Sequence, residues 1–215
     1  VDVIQEVVGQ LQSGADVSVD ERLINAFNSN LQQAITQNDT VDKAMIAEML
    51  SLPGETYLAE LAQVADVDAI HQARMAVWDA VATKLQGSLL SVYKLHQSIE
   101  AYSPDSASAA GRALKNVALG YLMQPQDTEM VSLCVDQFEK ADNMTDTASA
   151  LRALVGSTAP DALVAKEQAL TSFYNRWADE ALVIDLWFTI QASCHLPDTL
   201  DRVEALMKHE AFDMT

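Results

Sequence analysis

Apolar residues along this chain recur at intervals of three and four, and strict alternation of the strand kind is almost nowhere sustained. That period puts side chains in a stripe on one face of an α-helix, so the pattern predicts an all-helical protein, cut by turn signals into about nine or ten helices. Leu23, Ile24, Phe27, Leu31 and Ile35 form one stripe, predicting a helix over about 19–37 opened by a capping box of Ser18 and Glu21. Thr40 is read as the cap of the next helix, where Val41, Met45, Met49 and Leu50 repeat before Pro53-Gly54 ends it. A short helix, ETYLAELAQ, follows that turn. Asp66 is placed to cap the longest element, whose stripe runs through Ile70, Val77, Trp78, Val81, Leu85, Leu89 and Tyr93, with no proline until Pro104. At ~1.5 Å per residue it extends about 45 Å unless Gly87 kinks it.

Ser103-Pro104 opens another helix through Leu114, Val117, Ala118 and Tyr121, because proline suits a first helical position. Later helices are expected at 127–139, at 145–155 closed by Gly156, at 160–178, at 180–194, and at 197–209 opened by Pro197. Residues 1–17 carry two glycines and no clear stop, and read as an arm or a frayed helix; residues 18–215 read as a single all-helical domain. Connections this short imply antiparallel neighbours, and helices apolar on two sides, such as 182–192, need partners on both. Helical hairpins without a strict sequence period fit either a bundle or an irregular solenoid, and the two-sided helices favour the second: antiparallel helical hairpins stacked as an irregular armadillo/HEAT-like superhelix.

Composition narrows the classes of partner. With 49% apolar and 20% charged residues the chain has enough apolar surface to build a core, and disorder is excluded for most of it. A net charge of −18, from 31 acidic and 13 basic residues, repels phosphate backbones, so neither nucleic acid nor an anionic membrane is an expected partner. Cys134 and Cys194 stand far apart in a chain with no leader pattern at its start, which fits free thiols in a reducing, cytoplasmic setting. Every apolar run is interrupted well short of the ~20 residues a bilayer span needs. The sequence begins at Val1 within a polar segment, which suggests a piece of a longer polypeptide.

Candidate chemistry is sparse. "HEAFD", His209 to Asp213, differs from the zinc-binding HExxH only in its last residue, but Asp213 would have to replace the second histidine next to a fraying end. His71 and His96 read as surface or capping residues, His96 as a cation at a helix C-terminus. Cys134 reads as a small buried hydrophobe. In "RWADEALVIDLWFTIQASCH", Arg176 to His195, Asp185, Cys194 and His195 are all good ligands, yet Asp185 and Cys194 are ~13 Å apart along a helix and the Cys-His pair diverges by about 100°. Asp185 must therefore reach solvent or a partner among Arg176, Arg152 and Lys166. The tryptophans read as packing anchors. No GxxxxGK[ST], GxGxxG, GxSxG, CxxC or EF-hand loop occurs.

Several stretches resemble one family collinearly over roughly residues 16–215. "RWADEALVIDLWFTIQA" (Arg176–Ala192) resembles a W-x(4)-LV-x-D-x-WF-x-x-QA helix pair in the C-terminal helical domain of the bacterial aminopeptidase N family of zinc gluzincins. "ADNMTDTASALRAL" (Ala141–Leu154), "MLSLPGETYLAEL" (Met49–Leu61, like an LTLPSE segment), "ALKNVALGYL" (Ala113–Leu122, like RALRN) and "HEAFDMT" (His209–Thr215, like H-x-x-F-x-M) are similar to it as well. The resemblance implies the front part of that last domain. The family's HExxH zinc site and GxMEN-type motif belong to an earlier domain, and its N-P-N-R stretch would follow Thr215. No catalytic, cofactor or metal residue is carried over, and zinc is expected only in the parent enzyme. The implied role is a helical wall over the catalytic domain of the same polypeptide that limits the access of peptide substrates; a stand-alone α-solenoid binding another protein is the competing reading. Apolar faces freed from the parent are expected to make the isolated piece self-associate.

Overall fold

A computed structural model describes residues 1–97 and 101–213. Two sequence expectations reach beyond these: the stretch from 98 to 100 before Pro104, and the closing Met214-Thr215 of HEAFDMT, lie outside the described residues. All regular structure among the described residues is α-helical, as the periodicity predicts, but in twelve helices where it suggested nine or ten. The chain packs as two compact units, Val1–Pro125 and Gln126–Thr215.

The first unit holds α1 (Asp2–Ser13), α2 (Glu21–Thr36), α3 (Lys43–Leu50), α4 (Glu55–Glu60), α5 (Val67–Lys84), α6 (Gln86–Leu95) and α7 (Ser106–Leu122). The residues read as an arm or frayed helix contain α1, closed at Gly14 with φ 70°, and Ile4 and Val7 of α1 are buried. They join Leu58, Ile70, Ala73 and Val77 in one apolar cluster that ties α1 and α4 to α5. α7 packs along α6 and α3, with Leu114, Leu119 and Leu122 fully buried, and Phe27 and Trp78 meet the Tyr121 ring edge-on. The Tyr121 hydroxyl, in a core that would otherwise strand it, donates to the Leu50 carbonyl at 2.7 Å.

Helix starts in this unit differ from the sequence reading, and the reason is the same each time: an aspartate nearer the first turn takes the cap. Asp20, not Ser18, accepts from the Arg22 amide, while the Ser18 amide donates to Gln10 Oε1 at 2.8 Å. Asp42, not Thr40, accepts from Met45 N. Asp105 caps α7 by accepting from Ala107 N and Ser108 N, so Pro104 lies outside the helix; Asp66 caps α5 as expected. The buried face of α3 is Ile46, Ala47 and Leu50, and Met45 and Met49 are about half exposed. The long element is broken at Leu85 rather than at Gly87. Leu85 leaves helical geometry at φ −114°, ψ 13°, yet keeps its side chain buried, so the apolar stripe continues through the break.

The second unit holds α8 (Thr128–Lys140), α9 (Met144–Val155), α10 (Pro160–Trp177), α11 (Ala181–Ala192) and α12 (Thr199–Leu206), each packed on its successor. Pro160 sits in the first turn of α10, as the sequence suggests, whereas α12 starts two residues after Pro197. On α11 the buried face is Ile184, Trp187, Ile190 and Gln191, with Leu182 85% exposed, so the helix has one buried side where the sequence suggested two.

Candidate functional site

The chemistry-bearing residues fall into four separate places. In the first unit, His71 Nδ1 lies 2.9 Å from Glu55 Oε1, a partly exposed pair that pins α4 to α5. His96 ends α6, but not as the cation expected at a helix C-terminus. Burial, together with the ammonium groups of Lys43 and Lys115, pushes its pKa down from 6.5 to about 4, and its buried Nε2 has no hydrogen-bond partner among the described residues. The ring is a neutral packing element against α7, where Gly111 leaves it room.

In the second unit Cys134 is fully buried, its thiol directed at the Ala150 carbonyl at 3.4 Å, and burial pushes its pKa well above the ordinary thiol range. It is held as the inert hydrophobe the sequence indicated. Cys194 and His195 follow α11 and meet the end of α9: Cys194 Sγ is 3.6 Å from the Val155 carbonyl, and the His195 ring lies over Gly156. Asp185 is exposed on α11, which answers its apolar neighbours by reaching solvent. The three ligand-type residues of this stretch are thus distributed between a solvent face and a helix junction.

The HEAFD stretch follows α12 as turns rather than as a helix, with Ala211 N donating to His209 Nδ1 at 3.1 Å. An i, i+4 ligand pair needs helical geometry, so His209 and Asp213 lack the spacing of a zinc motif. His209 instead closes an aromatic cluster, its ring centroid 4.9 Å from Tyr174, 5.3 Å from Trp187 and 5.7 Å from Phe188, with Phe212 stacked edge-on beyond. Trp187 Nε1 donates to the Leu170 carbonyl at 3.0 Å, which anchors the cluster to α10. Sequence reasoning found the tryptophan anchor but missed the cluster. His209 is far from Tyr174 and Trp187 in the chain, and only the packing of α12 on α11 brings them together. Among the described residues no group of three or more His, Cys, Asp or Glu side chains is placed to hold a metal ion.

These features define a class: an all-helical repeat domain whose polar chemistry is spent on caps, helix junctions and aromatic packing. All 215 residues match the family described as "Domain of unknown function (DUF3458_C) ARM repeats", and the chain belongs to that family. The ARM-repeat description agrees with the armadillo-like all-α class expected from the periodicity. The chain is 30% identical to aminopeptidase N of Escherichia coli (strain K12) over 97% of its own length and 23% of the relative's. It is 34% identical to aminopeptidase N of Caulobacter vibrioides over 83% of its length and 20% of the relative's. Among solved structures it is similar to Legionella pneumophila aminopeptidase A in complex with aspartic acid, with a TM-score of 0.79 and 26% identity over 98% of this chain and 25% of that one. The chain thus spans about a quarter of the length of the relatives it matches.

Proposed function

We propose that this chain is the front part of the C-terminal helical domain of a cytoplasmic zinc aminopeptidase that removes N-terminal residues from peptides. In this reading residues 18–215 belong to one domain of the parent, preceded by the segment 1–17. The domain packs over the catalytic domain of the same polypeptide and limits which substrates enter. It contributes no catalytic, cofactor-binding or metal residue; zinc belongs to the catalytic domain. Neither nucleic acid nor membrane is a partner, consistent with the acidic surplus, and no described helix is long and apolar enough to cross a membrane.

The observation that carries this reading is the lopsided coverage: nearly all of the chain aligns with under a quarter of an aminopeptidase. A rigid helical array can govern access without supplying a reacting group, by excluding water and bulky chains from a neighbouring site. The test is direct. The purified chain should hydrolyse no aminoacyl anilide and should bind zinc at well below one ion per chain, read by elemental analysis; turnover that survives purification and is abolished by a chelator refutes the assignment. With its parent removed, the chain should also self-associate through an exposed apolar face.

A further inference from the structure

We infer that the cleft between α1, α4 and α5 docks a lysine- or arginine-bearing amphipathic segment of a separate polypeptide. The cleft has a volume of about 120 Å³ and lies over the Ile4–Val7–Leu58–Ile70 cluster, with Val8, Val64 and Asp66 on its walls. Cavities of ~150 Å³ take up a benzene ring, so this one has room for a single bulky apolar side chain. Its surroundings extend the apolar surface: Tyr57, Leu61, Val64 and Val67, all between α4 and the start of α5, are 50%, 46%, 85% and 67% exposed. Four large apolar side chains exposed within eleven residues, one of them on the cleft wall, are more than the scattered singles of an ordinary surface.

Charge selects the occupant. The stretches that line the cleft, residues 4–12 and 58–70, carry Glu6, Glu60, Asp66 and Asp68 and no lysine or arginine. The bases that follow them in the chain are engaged: Arg22 is paired with Asp20, and Arg74 donates to the Pro53 carbonyl and lies over the Trp78 ring. Asp66 stands at the cleft itself, with Oδ1 capping α5 and Oδ2 held by Gln12 Nε2 at 3.3 Å, which leaves lone pairs on Oδ2 for an incoming cation. An apolar anchor flanked by ammonium or guanidinium groups satisfies both features at once. A second copy of this chain would bring the same acidic rim against itself, and an anionic lipid surface would be repelled. The inference does not depend on the parent's catalytic activity.

The probe is a synthetic helix of about 18 residues made of leucine and lysine with leucines at i, i+3, i+4 and i+7. It should bind the chain, more weakly as salt is raised, and shift amide resonances of α1, α4 and the start of α5. The same peptide with glutamate in place of lysine should fail to bind. Val64→Lys and Val67→Lys, at exposed positions and each checked for an unchanged fold by circular dichroism, should weaken binding tenfold or more, and Leu182→Lys on the other unit should leave it unchanged. Equal binding of the glutamate peptide, or equal loss in Leu182→Lys, overturns the inference. So does dimerisation of the chain abolished by Val64→Lys, which would assign the cleft to a second copy. Binding to this chain but not to the longer polypeptide proposed above also overturns it, because the cleft would then be covered from within.

Discussion

His96 shows how a single residue can be placed correctly and charged wrongly. Its position at the end of α6 suggested a cation meeting the helix dipole, worth a fraction of a kcal/mol to a surface imidazolium. Burial against α7 and two neighbouring ammonium groups oppose that charge and prevail, holding the pKa near 4 against 6.5 in the open chain. Between those values the unfolded chain binds the proton more readily than the folded one, so stability falls as pH drops through this window. The contribution of His96 is complete above about pH 6.5 and is lost progressively toward pH 4, on the order of 1–2 kcal/mol once solvent screening of the partly exposed ring is allowed for. His96→Gln should remove this part of the pH dependence. Urea unfolding of both proteins at pH 7.5, 5.5 and 4.5 checks it, and parallel stability curves would refute it. Asp105 is the opposite case. Hydrogen bonds from the Ser103 and Ser108 hydroxyls, and then from the Ser108 and Ala107 amides, hold its carboxyl far below the usual range, so its cap on α7 persists through the same window.

At the scale of elements, the helical class and most helix positions were legible, because the period of an amphipathic stripe is written in the order of residues. Boundaries were less so. Ser18, Thr40 and Pro104 are all acceptable start signals, and each lost to an aspartate closer to the first turn, a competition that propensity ranks only weakly because several side chains can serve. The break at Leu85 was illegible since leucine is a good helix former; it lies where the main packing partner changes, from α1 along α5 to α7 along α6. The site residues divide in the same way. That Asp185 and Cys194 cannot share an ion follows from helical rise alone, but the packing of His209 on Tyr174 and Trp187 depends on three helices meeting. Two glycines separate local from tertiary causes. Gly14 ends α1 at φ 70°, where a Cβ is strained, so Gly14→Ala should cost about 1 kcal/mol. Gly156 ends α9 at φ −79°, which alanine adopts freely, and the added Cβ would meet the edge of the exposed His195 ring at 3.3 Å and, in ordinary van der Waals contact, the Arg152 carbonyl oxygen at 3.5 Å. Gly156→Ala should therefore change stability by less than about 0.5 kcal/mol, the small contact being offset by reduced freedom of the unfolded chain. Thermal melts of the two variants side by side decide it; a larger loss in Gly156→Ala would show that the His195 ring cannot give way.

For the whole molecule, charge is the dominant unbalanced quantity. Thirteen lysines and arginines can neutralise at most thirteen of the 31 acidic side chains, so at least eighteen carboxylates have no cationic partner of their own. Some of that surplus is used well: aspartates cap α2, α3, α5, α7 and α8, where helix dipoles favour negative charge. The rest repel one another across the surface, and an expanded chain relieves that repulsion, so it weighs against the folded state. Monovalent salt screens charges beyond about 10 Å at 0.1 M but barely touches caps made by direct hydrogen bonds. The two effects are therefore separable. Raising sodium chloride from about 10 to 200 mM at pH 7.5 should raise the midpoint of thermal unfolding by a few degrees, in a regime too dilute for general salting-out to contribute much. Differential scanning calorimetry at a fixed low protein concentration reads this without interference from self-association. A midpoint that stays constant or falls would mean that the ion pairs present, such as Lys84–Glu21 and Arg202–Glu167, outweigh the repulsion of the unpaired carboxylates. The arithmetic of 31 against thirteen makes the rise the expected outcome.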